Sequence, residues 1–90
     1  MVMVYITEVH MAGGAGHQHI AEVRWRNPEN GQTGANSRAE MVDWIRKGGE
    51  AYVTDGKNTA RVHVVEVNPP YIQTYADGKW TDNLLALPRY

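Results

Sequence analysis

The segment that most constrains this chain is residues 37–49, SRAEMVDWIRKGG, which carries both ends of one short helix. Ser37 followed by Glu40 fits a capping box, in which each side chain satisfies a backbone donor left free by the first turn. Arg46 and Lys47 fall in the last turn, where positive charge complements the helix dipole. Gly48 and Gly49 can take the left-handed conformation that ends a helix. Between the caps, Met41, Trp44 and Ile45 lie at i, i+3 and i+4, with Val42 and Ala39 widening the apolar stripe. Asp43 and Lys47 can pair along the outer face. A helix this short is marginal alone, so its stripe must dock on a sheet.

Strand patterns lie on both sides of it. Residues 2–11 predict a strand with Val2, Val4 and Ile6 on one face and Met3, Tyr5, Val9 and Met11 on the other. Residues 17–27 predict a second, with Ala21, Val23 and Trp25 opposed to Glu22, Arg24 and Arg26. The turn residues Asn27-Pro28-Glu29-Asn30-Gly31 open an irregular stretch that reaches about Asn36. After the helix, residues 50–54 and 60–67 predict two strands joined through Asp55-Gly56-Lys57-Asn58, and Pro69-Pro70 ends the second. Residues 71–75 predict another strand, with Asp77-Gly78 as a hairpin turn and residues 79–81 as the return. Asp82 can cap a brief helical turn through Leu84 and Leu85, in an otherwise irregular tail that Pro88 stops. The expected fold is α+β. It is a single domain over residues 1–90 with a mainly antiparallel sheet of four to six strands and one helix packed on a face, in the order ββαβββ.

Charge and composition narrow the function classes. Ten acidic and nine basic residues, net charge -1, are scattered with no run of either sign. That argues against nucleic acid, which needs clustered Lys and Arg, but leaves room for a small anion. Cysteine is absent, which excludes disulfides and thiolate chemistry and is compatible with a cytoplasmic location. The apolar runs are too short for a membrane span, and the first residues lack a leader pattern, so no membrane is expected. Phe is absent too. Three Trp and five Tyr supply all the aromatic bulk. Each carries a polar atom, so they favour the core margin or an interface.

Few residues suggest chemistry. In a strand His17 and His19 would share a side, an arrangement that suits two imidazoles on one metal ion. His63, Glu8 or Glu66 could complete a set only if the fold brings one there, and the plainer reading is two polar histidines at a strand entry. Gly13, Gly14 and Gly16 after a strand resemble a phosphate loop, yet a strand follows where a helix should open. They could still form a backbone nest for a small anion, with His19, Arg24 or Arg26. The two arginines share a strand face that a phosphate or carboxylate could bridge; pairing to Glu22 or a neighbouring strand explains them equally. Ser37 is the only serine and is spent on capping, so a serine nucleophile is not expected. The tail PPYIQTYADGKWTDNLLALPRY concentrates Tyr71, Tyr75 and Trp80, which suit an interface or the completion of a small core.

Four blocks, GGAGHQHIAEVRW, SRAEMVDWIRKGGEAYV, RVHVVEV and PPYIQTYADGKWTDNLLALP, resemble the small bacterial and phage proteins of domain of unknown function 3892. The resemblance spans residues 6–88, and its last block is the most distinctive. It implies a free-standing prokaryotic domain and carries over no activity, ligand or catalytic residue. From the residues themselves the expected function is a non-catalytic binding or assembly module, homo-oligomeric or with a protein partner, and no enzyme. The alternatives are a protein that sequesters a nucleotide or other anion at Gly13, Gly14, Gly16, His19, Arg24 and Arg26, and a metal-binding protein through His17 and His19. No cofactor is expected.

Overall fold

The computed structural model describes residues 3–90, so the expectation for Val2 lies outside the described residues. The elements are β1 (Met3–Met11), β2 (Ile20–Arg26), β3 (Thr33–Ser37), α1 (Arg38–Arg46), β4 (Glu50–Thr54), β5 (Thr59–Val65), β6 (Tyr71–Ala76) and β7 (Lys79–Thr81). Short 3-10 turns occupy His17–His19 and Asn83–Ala86.

The capping signals form as expected. Glu40 N donates to Ser37 Oγ at 3.2 Å and Ser37 N donates to Glu40 Oε1 at 2.9 Å. At the far end Gly48 N donates to Ile45 O and Gly49 N to Trp44 O, both at 3.0 Å. This paired closure requires the φ of +102° that Gly48 adopts. Lys47 Nζ pairs with Asp43 Oδ2 at 2.9 Å on the solvent side.

The sheet overturns the expected architecture. It has seven strands in the order β3-β2-β1-β4-β5-β6-β7. It is mixed, because β1 and β4 run parallel while every other pair is antiparallel. With 49% strand and 18% helix the fold is sheet-dominated, not an α+β fold with four to six antiparallel strands. Two features were hidden. The segment Thr33–Ser37, TGANS, has weak strand propensity and follows a turn-rich run, so it reads as loop; pairing with β2 is what makes it β3. The parallel pairing is non-local: the chain leaves β1 for the β3 edge and returns through α1 to the other side of β1.

The sheet is curled. Helix α1 touches β2 and β3 near one edge and β5 and β6 near the other. Adjacent strands stand about 4.8 Å apart, so a flat sheet would hold β2 and β6 roughly 19 Å from each other. The 3-10 turn that enters β2 also touches β6. The concave side therefore holds the core: Val4, Ile6, Val9, Val23, Ala51, Val53, Val62 and Ile72, closed by Met41 and Val42 of α1 and by Leu84. Val9 was expected opposite Ile6. A register shift between Ile6 and Glu8 inserts a bulge, and the phase change turns Val9 inward, where it is fully buried. Thr74 is a fully buried polar residue of this face. Its hydroxyl bonds Thr81 Oγ1 at 2.6 Å and donates to Thr81 O at 3.1 Å, tying β7 to β6.

Candidate functional site

The outward side of the sheet carries a row of seven paired residues, one from each strand. In sheet order they are Thr33, Arg26, Tyr5, Tyr52, Arg61, Tyr75 and Trp80. Around Tyr5, Tyr52, Arg61 and Tyr75 the chain neighbours Val4, Ile6, Ala51, Val53, Ala60, Val62 and Thr74 are buried, and strand alternation turns this part of the row to solvent. Six gaps of about 4.8 Å make the row roughly 29 Å long, measured along the curve of the sheet.

Its chemistry is aromatic with two cations. Tyr75 and Trp80 meet edge to face at 5.1 Å between centroids, and His63 stands edge-on to both, at 5.8 and 6.4 Å. Trp80 keeps 46% of its surface exposed and Tyr75 38%, the largest aromatic exposure among the described residues. Tyr71 shares their strand face, two alternations from Tyr75. Partial burial, aided by the Arg61 charge, holds the His63 pKa below the usual histidine value. Arg61 lies 6.0 Å over the Tyr52 ring, and Tyr5 lies 6.4 Å from it on the other side. Tyr52 Oη donates to Glu50 Oε1 at 2.7 Å, and that bond raises the phenol pKa. The aromatic residues Tyr71, Tyr75 and Trp80 singled out in the sequence thus meet on one surface. Tyr5, Tyr52 and Arg61 join them, which period-two alternation can turn outward but cannot align without the strand register.

The two arginines of β2 belong to this face but not to the glycine loop. Arg24 pairs with Glu8 at 3.5 Å across β1–β2, and its guanidinium carbon lies 4.0 Å above the Tyr90 ring. The plainer reading, a neighbouring-strand salt bridge, holds for Arg24. Arg26 sits in the row beside Tyr5. Seven residues of nearly extended chain put Arg26 about 23 Å from His19.

Gly13, Gly14 and Gly16 therefore gather only His19. A side chain at Gly14 would overlap the His19 imidazole. The two histidines lie just ahead of β2, which begins at Ile20, and not within the strand. They lie in a 3-10 turn, whose three-residue period parts side chains at i and i+2. His17 is buried and its Nε2 lies 4.0 Å from Asp82 Oδ1, without a hydrogen bond. Burial pushes its pKa down, with Asp82 opposing. Glu8 pairs with Arg24, and Glu66 accepts from Arg46 Nε at 3.2 Å. No group of three or more His, Asp or Glu suited to a metal ion occurs among the described residues. Asp82 starts the second 3-10 turn without bonding it through its side chain, contrary to its expected capping role.

No helix among the described residues is long and apolar enough to cross a membrane. No curated protein and no solved structure matches this chain. A family model matches residues 5–88, from Tyr5 of the outward row to the proline whose carbonyl accepts from Val9 N. The chain therefore belongs to the family described as Protein of unknown function (DUF3892).

Proposed function

We propose that the protein is a non-catalytic assembly module that binds a second copy of itself through the outward sheet face. The observation that supports this reading is the exposed Tyr75–Trp80 pair set in the seven-residue row. Tyr and Trp give large contact area at small entropic cost, which suits the centre of an interface. The row also carries Arg26 and Arg61 with Glu50 one alternation away, so two copies related by a two-fold axis can meet with opposite charges. A face roughly 29 Å long along its curve is large enough for the roughly 800 Å² per partner of a standard interface. We infer a cytoplasmic setting, where a cysteine-free chain is indifferent to reducing conditions.

Light scattering over a range of concentrations tests it. The native chain is expected to reach twice its monomer mass as concentration rises. The Tyr75→Ala, Trp80→Ala double variant is expected to stay monomeric while unfolding at nearly the native temperature. A native chain that stays monomeric throughout removes the proposal.

A further inference from the structure

A second feature lies on the opposite side of the sheet. Between α1 and strands β1 to β3 is a cavity of about 230 Å³ lined by Val4, Trp25, Asn36, Glu40, Met41 and Trp44. Two indoles form its walls, and each is seated on a glycine. Trp25 lies against Gly34, its direct partner on β3, and Trp44 against Gly49. At neither glycine would a side chain fit without displacing the ring. Val4 and Met41 are buried and give the cavity an apolar floor.

Polar groups are few and directed. Trp25 Nε1 donates to Asn36 Oδ1 at 2.7 Å, so that indole N–H is already used. Among the described residues of the lining, Glu40 is the only charged one. The Ser37 backbone N–H, then the Ser37 and Asn36 side chains, hold its carboxyl below the usual carboxylate range. The lining thus combines aromatic surface with one fixed negative charge. Ring faces attract a cation through their quadrupole, and a nearby carboxylate adds to the attraction. An anion would meet repulsion, and a neutral apolar molecule would leave the carboxylate unused. The volume lies just below the usual range of small-molecule sites, which fits a compact headgroup.

We infer that this cavity binds a small alkylammonium cation, with its methyl groups against Trp25 and Trp44 and its charge toward Glu40. This site is separate from the outward face, and its test is independent of self-association.

The experiment follows the indole N–H signals of the full-length, isotope-labelled chain by NMR during titration with choline. Its neutral carbon isostere, dimethylbutanol, serves as the control. Saturable movement of the Trp25 and Trp44 signals with choline, and at least about tenfold weaker binding of the isostere, is expected. Glu40→Gln removes the charge but keeps a residue that completes a capping box, so the helix should persist. It is expected to weaken choline binding about tenfold and leave the isostere unchanged. Co-sedimentation with phosphatidylcholine vesicles would identify a lipid headgroup as the source of the cation; choline binding without it identifies a free cation. No saturable movement with choline, equal binding of the isostere, or undiminished choline binding by Glu40→Gln would each overturn the inference.

Discussion

The Tyr90 hydroxyl donates to Glu22 Oε1 at 2.7 Å, joining residues 68 positions apart. The same ring lies under the Arg24 guanidinium and against His10. Tyr90 N donates to Val9 O at 3.2 Å, and Val9 N donates to Pro88 O at 3.0 Å. The last residues thus act as a short parallel addition to the second half of β1, beyond its pairing with β4. Burial, with help from the Glu22 bond, pushes the Tyr90 phenol up to about 12. A raised phenol favours the fold while protonated. That contribution is complete below about pH 10 and is lost as pH rises toward about 12. Tyr90→Phe is expected to cost about 1 kcal/mol at neutral pH and to remove the last phase of an absorbance titration of tyrosinate. An unchanged titration would mean that another phenol carries that phase.

Gly34→Ala and Gly49→Ala are expected to destabilise by about 1–3 kcal/mol each, because the new methyl overlaps an indole and pushes it off its seat into the adjoining cavity. Denaturant unfolding measures the loss, and near-ultraviolet circular dichroism reports the displaced rings. Both variants should also impair choline binding if the cation site is as inferred, while Tyr75→Ala and Trp80→Ala should not.

Stability is expected to fall in mild acid. His17 is buried and its pKa is depressed, chiefly by burial. His63 is depressed in the same direction and for the same first reason. The unfolded chain then binds more protons than the folded one below about pH 6.5, so the fold is fully favoured above that value and loses stability as pH drops. The loss levels off once the folded histidines also protonate. Thermal unfolding measured from about pH 7 down to about pH 5 checks this. His17→Leu should flatten the curve in part, and the added His63→Gln should flatten it further.

Ser37→Ala is expected to cost about 1 kcal/mol, since Glu40 N loses its acceptor at the first turn of α1. Ser37→Asp should restore most of it. Equal stability of the Ala and Asp variants in chemical denaturation would show that packing of Met41 and Val42 alone holds the helix.

The local signals in the chain were legible because they are local. The capping box at Ser37 and Glu40 and the glycine closure at Gly48 and Gly49 need only neighbours within a turn or two. The same is true of the Asp77-Gly78 turn, whose φ values of +54° and +80° suit a tight hairpin. Alternation along β2 likewise separated Val23 and Trp25 from Arg24 and Arg26.

What the sequence could not decide was register and neighbourhood. The pairing of Thr33–Ser37 with β2 depends on a partner strand, not on the weak propensity of TGANS. The bulge between Ile6 and Glu8 reverses the face of Val9 through one misplaced hydrogen-bond step. The parallel contact of β1 with β4 closes over four intervening elements, and only the free energy of the closed core selects it. That same contact aligns Tyr5 with Tyr52 and so completes the outward row. The sequence by itself determined which residues would cap, turn and alternate, because those preferences act within a few bonds. The tertiary structure alone decided which faces meet, because pairing between distant strands is set by the collective burial of the core.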